Sequence, residues 1–157
     1  MKTGPVGRTQ AVPKRSRRRR LDVFDATMAK TQTWLNELML ALGWEGKPQK
    51  AYLALRTVLH ALRDRLPVDE AVQLGAQLPM LVRGFYYEGW TPRKKPVKER
   101  REEDFLEHVK EAFKDDVTVN AREIVRAVFR LLRRHVSAGE VEDVRHMLPK
   151  PLQRLWP

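Results

Sequence analysis

"LRTVLHALRDRLPVDEAVQLGAQLPMLVRGFYY", residues 55–87, and "VRAVFRLLRRHVSAGEVEDVRHMLPKPLQRLWP", residues 125–157, align without a gap at an offset of 70. Seven positions are identical: Arg56/Arg126, Val58/Val128, Leu62/Leu132, Arg63/Arg133, Glu70/Glu140, Leu78/Leu148 and Pro79/Pro149. Chance gives roughly two in such a window, and the apolar positions coincide as well, so the chain reads as an internal repeat. The pattern inside each copy is helical. Ala51, Leu55, Val58, Leu59, Leu62 and Leu66 recur at the spacing of one helix face. Pro67 ends that helix, and Asp69 and Glu70 sit in a new first turn, where negative charge meets the positive helix end. Pro79 ends this third, short helix, and a fourth would carry Leu81, Val82 and Phe85.

Outward from the repeat, Trp34, Leu35, Leu38, Ala41 and Leu42 predict a helix stopped by Gly43, and Pro48 suits the first turn of the next. Trp34 corresponds to Phe105 with a one-residue difference in length. Asn120 with Glu123 and Ser137 with Glu140 have the spacing of capping boxes. No segment alternates as a strand does. The expected fold is all-α. A disordered basic arm, residues 1–22, precedes helical unit one, 23–88. A basic, Pro-rich linker, 89–101, leads to helical unit two, 102–157. Each unit has about four helices. A unit alone is small, so the two are expected to share one core.

The net charge of +11 is unevenly placed. Residues 1–20 hold eight basic groups and no acid. The rest of the chain is only +3, and +5 of that falls in residues 93–101. Lys14, Arg15, Arg17, Arg18, Arg19 and Arg20 in the arm, and Arg93, Lys94 and Lys95 in the linker, are candidate contacts for an anionic partner such as DNA or ribosomal RNA. Arg56, His60 and Arg63 share a helix face, as do Arg126, Arg130 and Arg133 at the same spacing in the second copy. Either stripe could bind an anion. The favoured alternative pairs Arg63 with Glu70 and Arg133 with Glu140, locking each helix to the next.

Catalytic chemistry finds little footing. There is no cysteine, which excludes disulfides and thiolate nucleophiles and suits a reducing cytoplasm. The serines are Ser16 in the arm and Ser137 at a cap. No Gly-rich phosphate loop exists. Of the four histidines, only His146, three and four residues after Asp143 and Glu142, has ligand-like spacing, and an ordinary exposed acid–base pair explains it. No metal, cofactor or enzymatic activity is expected. Nor is membrane insertion, since no apolar run is long enough to span. The expected role is binding a protein or nucleic acid. In "GFYYEGW", residues 84–90, Phe85 aligns with Leu155 and Tyr86 with Trp156, which marks both as core. Gly84 would allow close packing. Tyr87 and Trp90, beside the basic run, are candidate aromatic contacts or pins holding the linker onto unit two.

The runs "VFDATMAKTQTWLNELM", "EEDFLEHV" and the two repeat copies resemble the bacterial family catalogued as domain of unknown function 2267, over about residues 23–157. The resemblance implies a small, soluble helical protein and brings no catalytic residues with it. Pro67 departs from the Thr or Ser that such proteins often place there. Val23 falls where they tend to begin, and valine codons can initiate, so a chain starting near residue 23 is the alternative to a partner-binding arm.

Overall fold

The computed structural model describes residues 21–157. These residues form eight α-helices and no strand. In chain order they are α1 (Asp22–Leu42), α2 (Pro48–Asp64), α3 (Val68–Ala76), α4 (Met80–Tyr87), α5 (Glu102–Ala112), α6 (Ala121–His135), α7 (Ala138–Met147) and α8 (Lys150–Gln153), with a 3-10 turn at Pro92–Lys94. No helix among them is long and apolar enough to cross a membrane.

The helix ends follow local chemistry. Gly43 takes the left-handed conformation, φ 68°, that a side chain would oppose. The Trp44 N–H then donates to the Met39 carbonyl at 2.8 Å, closing α1. Pro48 opens α2, where its missing N–H costs nothing. The Asn120 side chain accepts the Glu123 N–H at 3.2 Å and Ser137 Oγ that of Glu140 at 3.3 Å, so the N-cap half of each expected capping box forms; the Ser137 N–H donates to Gln77 at 2.9 Å rather than to Glu140.

The four longer helices, α1, α2, α5 and α6, make the bundle. α2 packs on α6, and each also packs on both α1 and α5. α3 lies against α7. The whole expected stripe of α2, from Ala51 to Leu66, is buried, and it shares one apolar cluster with Trp34, Leu38, Phe105, Val109, Ile124, Val128 and Leu132. Residues from both sides of the linker therefore fill a single core. Phe85, Tyr86, Leu155 and Trp156 are buried in it, as the repeat implied, and the Trp156 ring stacks on Phe129 at 4.2 Å. α1 and α4 depart from expectation. Ala41 faces out while Met39 and Trp44 are buried, and Leu81 is exposed while Val82 and Phe85 are not.

Candidate binding surface

The basic stripe of α2 is absorbed by the fold. Arg63 is buried and donates to the Tyr86 carbonyl at 2.6 Å and the Glu88 carbonyl at 2.9 Å, and its Nε reaches Asp64 at 2.9 Å. His60 donates to the Phe85 carbonyl at 2.6 Å, and Arg56 pairs with Glu88 at 3.5 Å. These side chains satisfy the free carbonyls at the end of α4, where cations are favoured. Burial holds the His60 imidazole below its ordinary value, partly offset by the Phe85 carbonyl it bonds. The role is structural, but the expected partner is corrected: Arg63 does not pair with Glu70, nor Arg133 with Glu140. Arg133 is exposed and donates to the Pro157 carbonyl. Glu70 and Glu140 are both buried, and their carboxyl groups lie within 4.8 Å of each other. Arg126 is half-buried and Arg130 exposed, and neither forms an ion pair among the described residues.

The linker is strapped to α2. The Val97 N–H donates to the Asp64 carbonyl at 2.8 Å, Lys95 pairs with the Asp64 carboxylate at 3.5 Å, and Glu99 accepts from Arg65. Arg65 is 4% exposed, also donates to the Ala61 carbonyl at 2.9 Å, and lies over the Phe105 ring at 4.9 Å. Lys95 is thus engaged within the fold. Arg93 and Lys94, in the 3-10 turn, remain exposed. Lys14, Arg15, Arg17, Arg18, Arg19 and Arg20 lie outside the described residues.

Of the two candidate aromatics, Tyr87 folds back onto α3 and Trp90 lies against Tyr87. The Tyr87 ring is 4.9 Å from Tyr86 and 5.5 Å from Trp90, and its hydroxyl donates to the Val72 carbonyl at 3.4 Å. It occupies the space of an absent side chain: a Cβ on Gly75 would fall 2.7 Å from Tyr87 Cζ. Gly75, and not Gly84, is therefore the glycine that packing requires; a Cβ at Gly84 meets nothing within 4 Å. Both rings are partly buried against the core, and Tyr87 is anchored on α3, in the first half of the chain rather than the second.

An apolar surface lies on the other side of α4. Leu21, Val23, Phe24 and Met28 at the start of α1, with Met80 and Leu81 at the start of α4, are 45–61% exposed. The Leu81 N–H donates to Thr27 Oγ1 at 3.2 Å, which holds the two helix starts side by side. Sequence reading assigned Leu81 to a core face and did not single out the others. The available signal was apolar residues on α1 outside its Trp34–Leu38 stripe, beyond what one buried face needs.

A cavity of about 320 Å³ opens between α1 and the α3–α4 corner, lined by Lys30, Thr33, Trp34, Gln77, Pro79 and His135 among others. His135 stacks on Trp34 at 5.0 Å and donates to Glu37 at 2.9 Å; Arg134 donates to the same oxygen at 3.0 Å. Burial pushes the Glu37 carboxyl up, but His135 and Arg134 more than offset it and hold it below its usual value. His146 lies 3.9 Å from Glu142 on an exposed face, an ordinary i, i+4 pair.

Comparison with curated proteins finds no match. The family model described as "Uncharacterized conserved protein (DUF2267)" matches residues 31–155, a span that covers most of the bundle, the strapped linker and the α3–α7 contact but starts after Leu21, Val23, Phe24 and Met28. With the fold and that match together, the chain belongs to the DUF2267 family.

Proposed function

We propose that this chain is a non-enzymatic binding module that takes a protein partner on the apolar surface of α1 and α4. The observation that carries the reading is the exposure of Leu21, Val23, Phe24, Met28, Met80 and Leu81 beside a core that is otherwise filled. A contiguous apolar patch gains free energy when covered, roughly 25 cal/mol per Å² removed from water, and such patches mark interaction sites on soluble proteins. The lack of cysteine supports a reducing compartment, the cytoplasm, as the place of work.

The test is affinity purification of the full chain from its source cells, with nuclease, beside a Phe24→Asp/Met28→Asp variant. The variant is expected to keep its helical circular dichroism and its melting temperature and to lose the proteins that the parent retains. Equal recovery by both chains would refute the patch. Recovery abolished by nuclease would favour a second reading, in which the eight basic groups of residues 1–20, with Arg93, Lys94, Arg126 and Arg130, hold nucleic acid through its phosphates. That reading expects DNA or RNA binding that falls steeply with salt and disappears when residues 1–20 are deleted.

A further inference from the structure

Glu70 in the first turn of α3 and Glu140 in the first turn of α7 meet where those helices pack together. Asp143, one turn further along α7, completes a group of three carboxylates, each offering an oxygen within 4.8 Å of the other two. Glu70 is 7% exposed and Glu140 8%. In each, Oε1 is shut off from solvent with no hydrogen-bond partner. No Lys, Arg or His among the described residues makes an ion pair with any of the three. Buried carboxylates without a countercharge are costly, so a bound proton or a bound cation is needed to offset their repulsion.

We propose that Glu70, Glu140 and Asp143 form a binding site for a hard divalent cation, Ca²⁺ or Mn²⁺, which bridges α3 and α7. The donor set decides the class. It is all carboxylate oxygen, with neither imidazole nor thiolate, which suits hard cations rather than zinc or copper. Oxygens no more than 4.8 Å apart can all lie within about 2.8 Å of a common centre, close enough for small side-chain shifts to bring them onto one divalent ion. The orphaned Oε1 atoms supply unused lone pairs, and exposed Asp143 leaves an open side for the ion and its waters. Burial first, and then Glu70 and Asp143, raise Glu140 to about 7. A proton is thus the competing occupant. Tyr86 is the other titratable group set against Glu140; its hydroxyl is tied to the Ala71 carbonyl at 2.7 Å and stays neutral.

The site is independent of the α1–α4 patch and is tested on the full chain. After chelator treatment, Mn²⁺ or Ca²⁺ is titrated at pH 7.5 by calorimetry and by thermal melting. One saturable site and a rise in melting temperature are expected. Glu140→Gln should abolish both. Asp143→Asn, at an exposed position that folding tolerates, should weaken Mn²⁺ binding by at least the roughly tenfold that loss of even an outer partner costs. Glu142→Gln, its exposed neighbour, should bind as the parent does. The proposal is overturned if the parent shows no saturable binding, or if Asp143→Asn and Glu142→Gln bind alike; the pair would then share a proton and nothing more.

Discussion

Two corners of the bundle have the same plan and opposite temperaments. Where α1 meets α6, an aromatic ring (Trp34) is covered by a nitrogen-bearing side chain from the end of a long helix, the His135 imidazole. Where α2 meets α5, Phe105 is covered by Arg65 in the same way. Arg65 and His135 stand 70 residues apart, and Trp34 and Phe105 are 71 apart, so the alignment offset carries one corner onto the other. The acids differ. Glu37 serves His135 from within α1, whereas Glu99 reaches Arg65 from the linker and also bonds His108 at 3.2 Å. At the Arg65 corner the charge is permanent and sealed under a strap. At the His135 corner the side chain is 25% exposed, and a cavity adjoins it. The same geometry thus makes a structural joint in one place and an accessible polar recess in the other.

Removing Arg65 and His135 in turn should break the comparison most plainly. Arg65→Ala strips a buried guanidinium from Phe105 and leaves Glu99 with His108 alone, so a loss of about 3 kcal/mol is expected in urea unfolding. His135→Ala should cost about 1 kcal/mol or less, because its ion pair is near the surface. Equal losses would mean the corners are energetically alike.

Gly75→Ala sharpens the comparison at a second pair of positions. Gly75 is matched by half-buried Arg145, and the first site has the Tyr87 ring lying over it. Tyr87 must shift to admit the methyl, and a loss of roughly 1–2 kcal/mol is expected in the same measurement. A Tyr87→Ala background should remove most of that cost.

The smallest effect concerns pH. Glu37 is held below its ordinary value of 4.5 in the folded chain, so its contribution is complete above 4.5 and is lost as pH falls through the lower, folded value. The stability gap between the parent chain and Glu37→Gln, measured by urea unfolding, should therefore be constant at pH 5–6 and shrink below about 4.5. A gap that stays unchanged on acidification would show that His135 and Arg134 do not hold the carboxylate.

Much of this was legible in the sequence, because helix boundaries and buried stripes are local properties. Pro67, Pro79, Gly43, Asn120 and Ser137 each act within a few residues of where they stand, and the α2 stripe needs only its own periodicity. The partners of charged and exposed groups are not local. Arg63 looked matched to Glu70 because the two recur together, but the end of α4 arrives with bare carbonyls and captures the guanidinium first. Glu70 and Glu140 recur because they meet each other across the α3–α7 contact, which spacing along the chain cannot reveal. Phe24, Met28 and Leu81 have the chemistry of core residues, and only the packed fold shows that no other described residue buries them. Gly75 and Gly84 look interchangeable until Tyr87 is seen to lie over one of them.

The strap at residues 95–99 bears on more than the joint it seals. α1 leans on α6 and α5 on α2, so each half of the chain completes its burial with helices from the other. Helices shared in this manner can be exchanged between two copies of a chain, which is how swapped dimers arise. Lys95, Val97 and Glu99, bound to Asp64 and Arg65, tether the crossing to the end of α2 in the first half of the chain. That tether keeps each second half at high effective concentration beside its own first half. The linker thereby decides whose helices close the bundle.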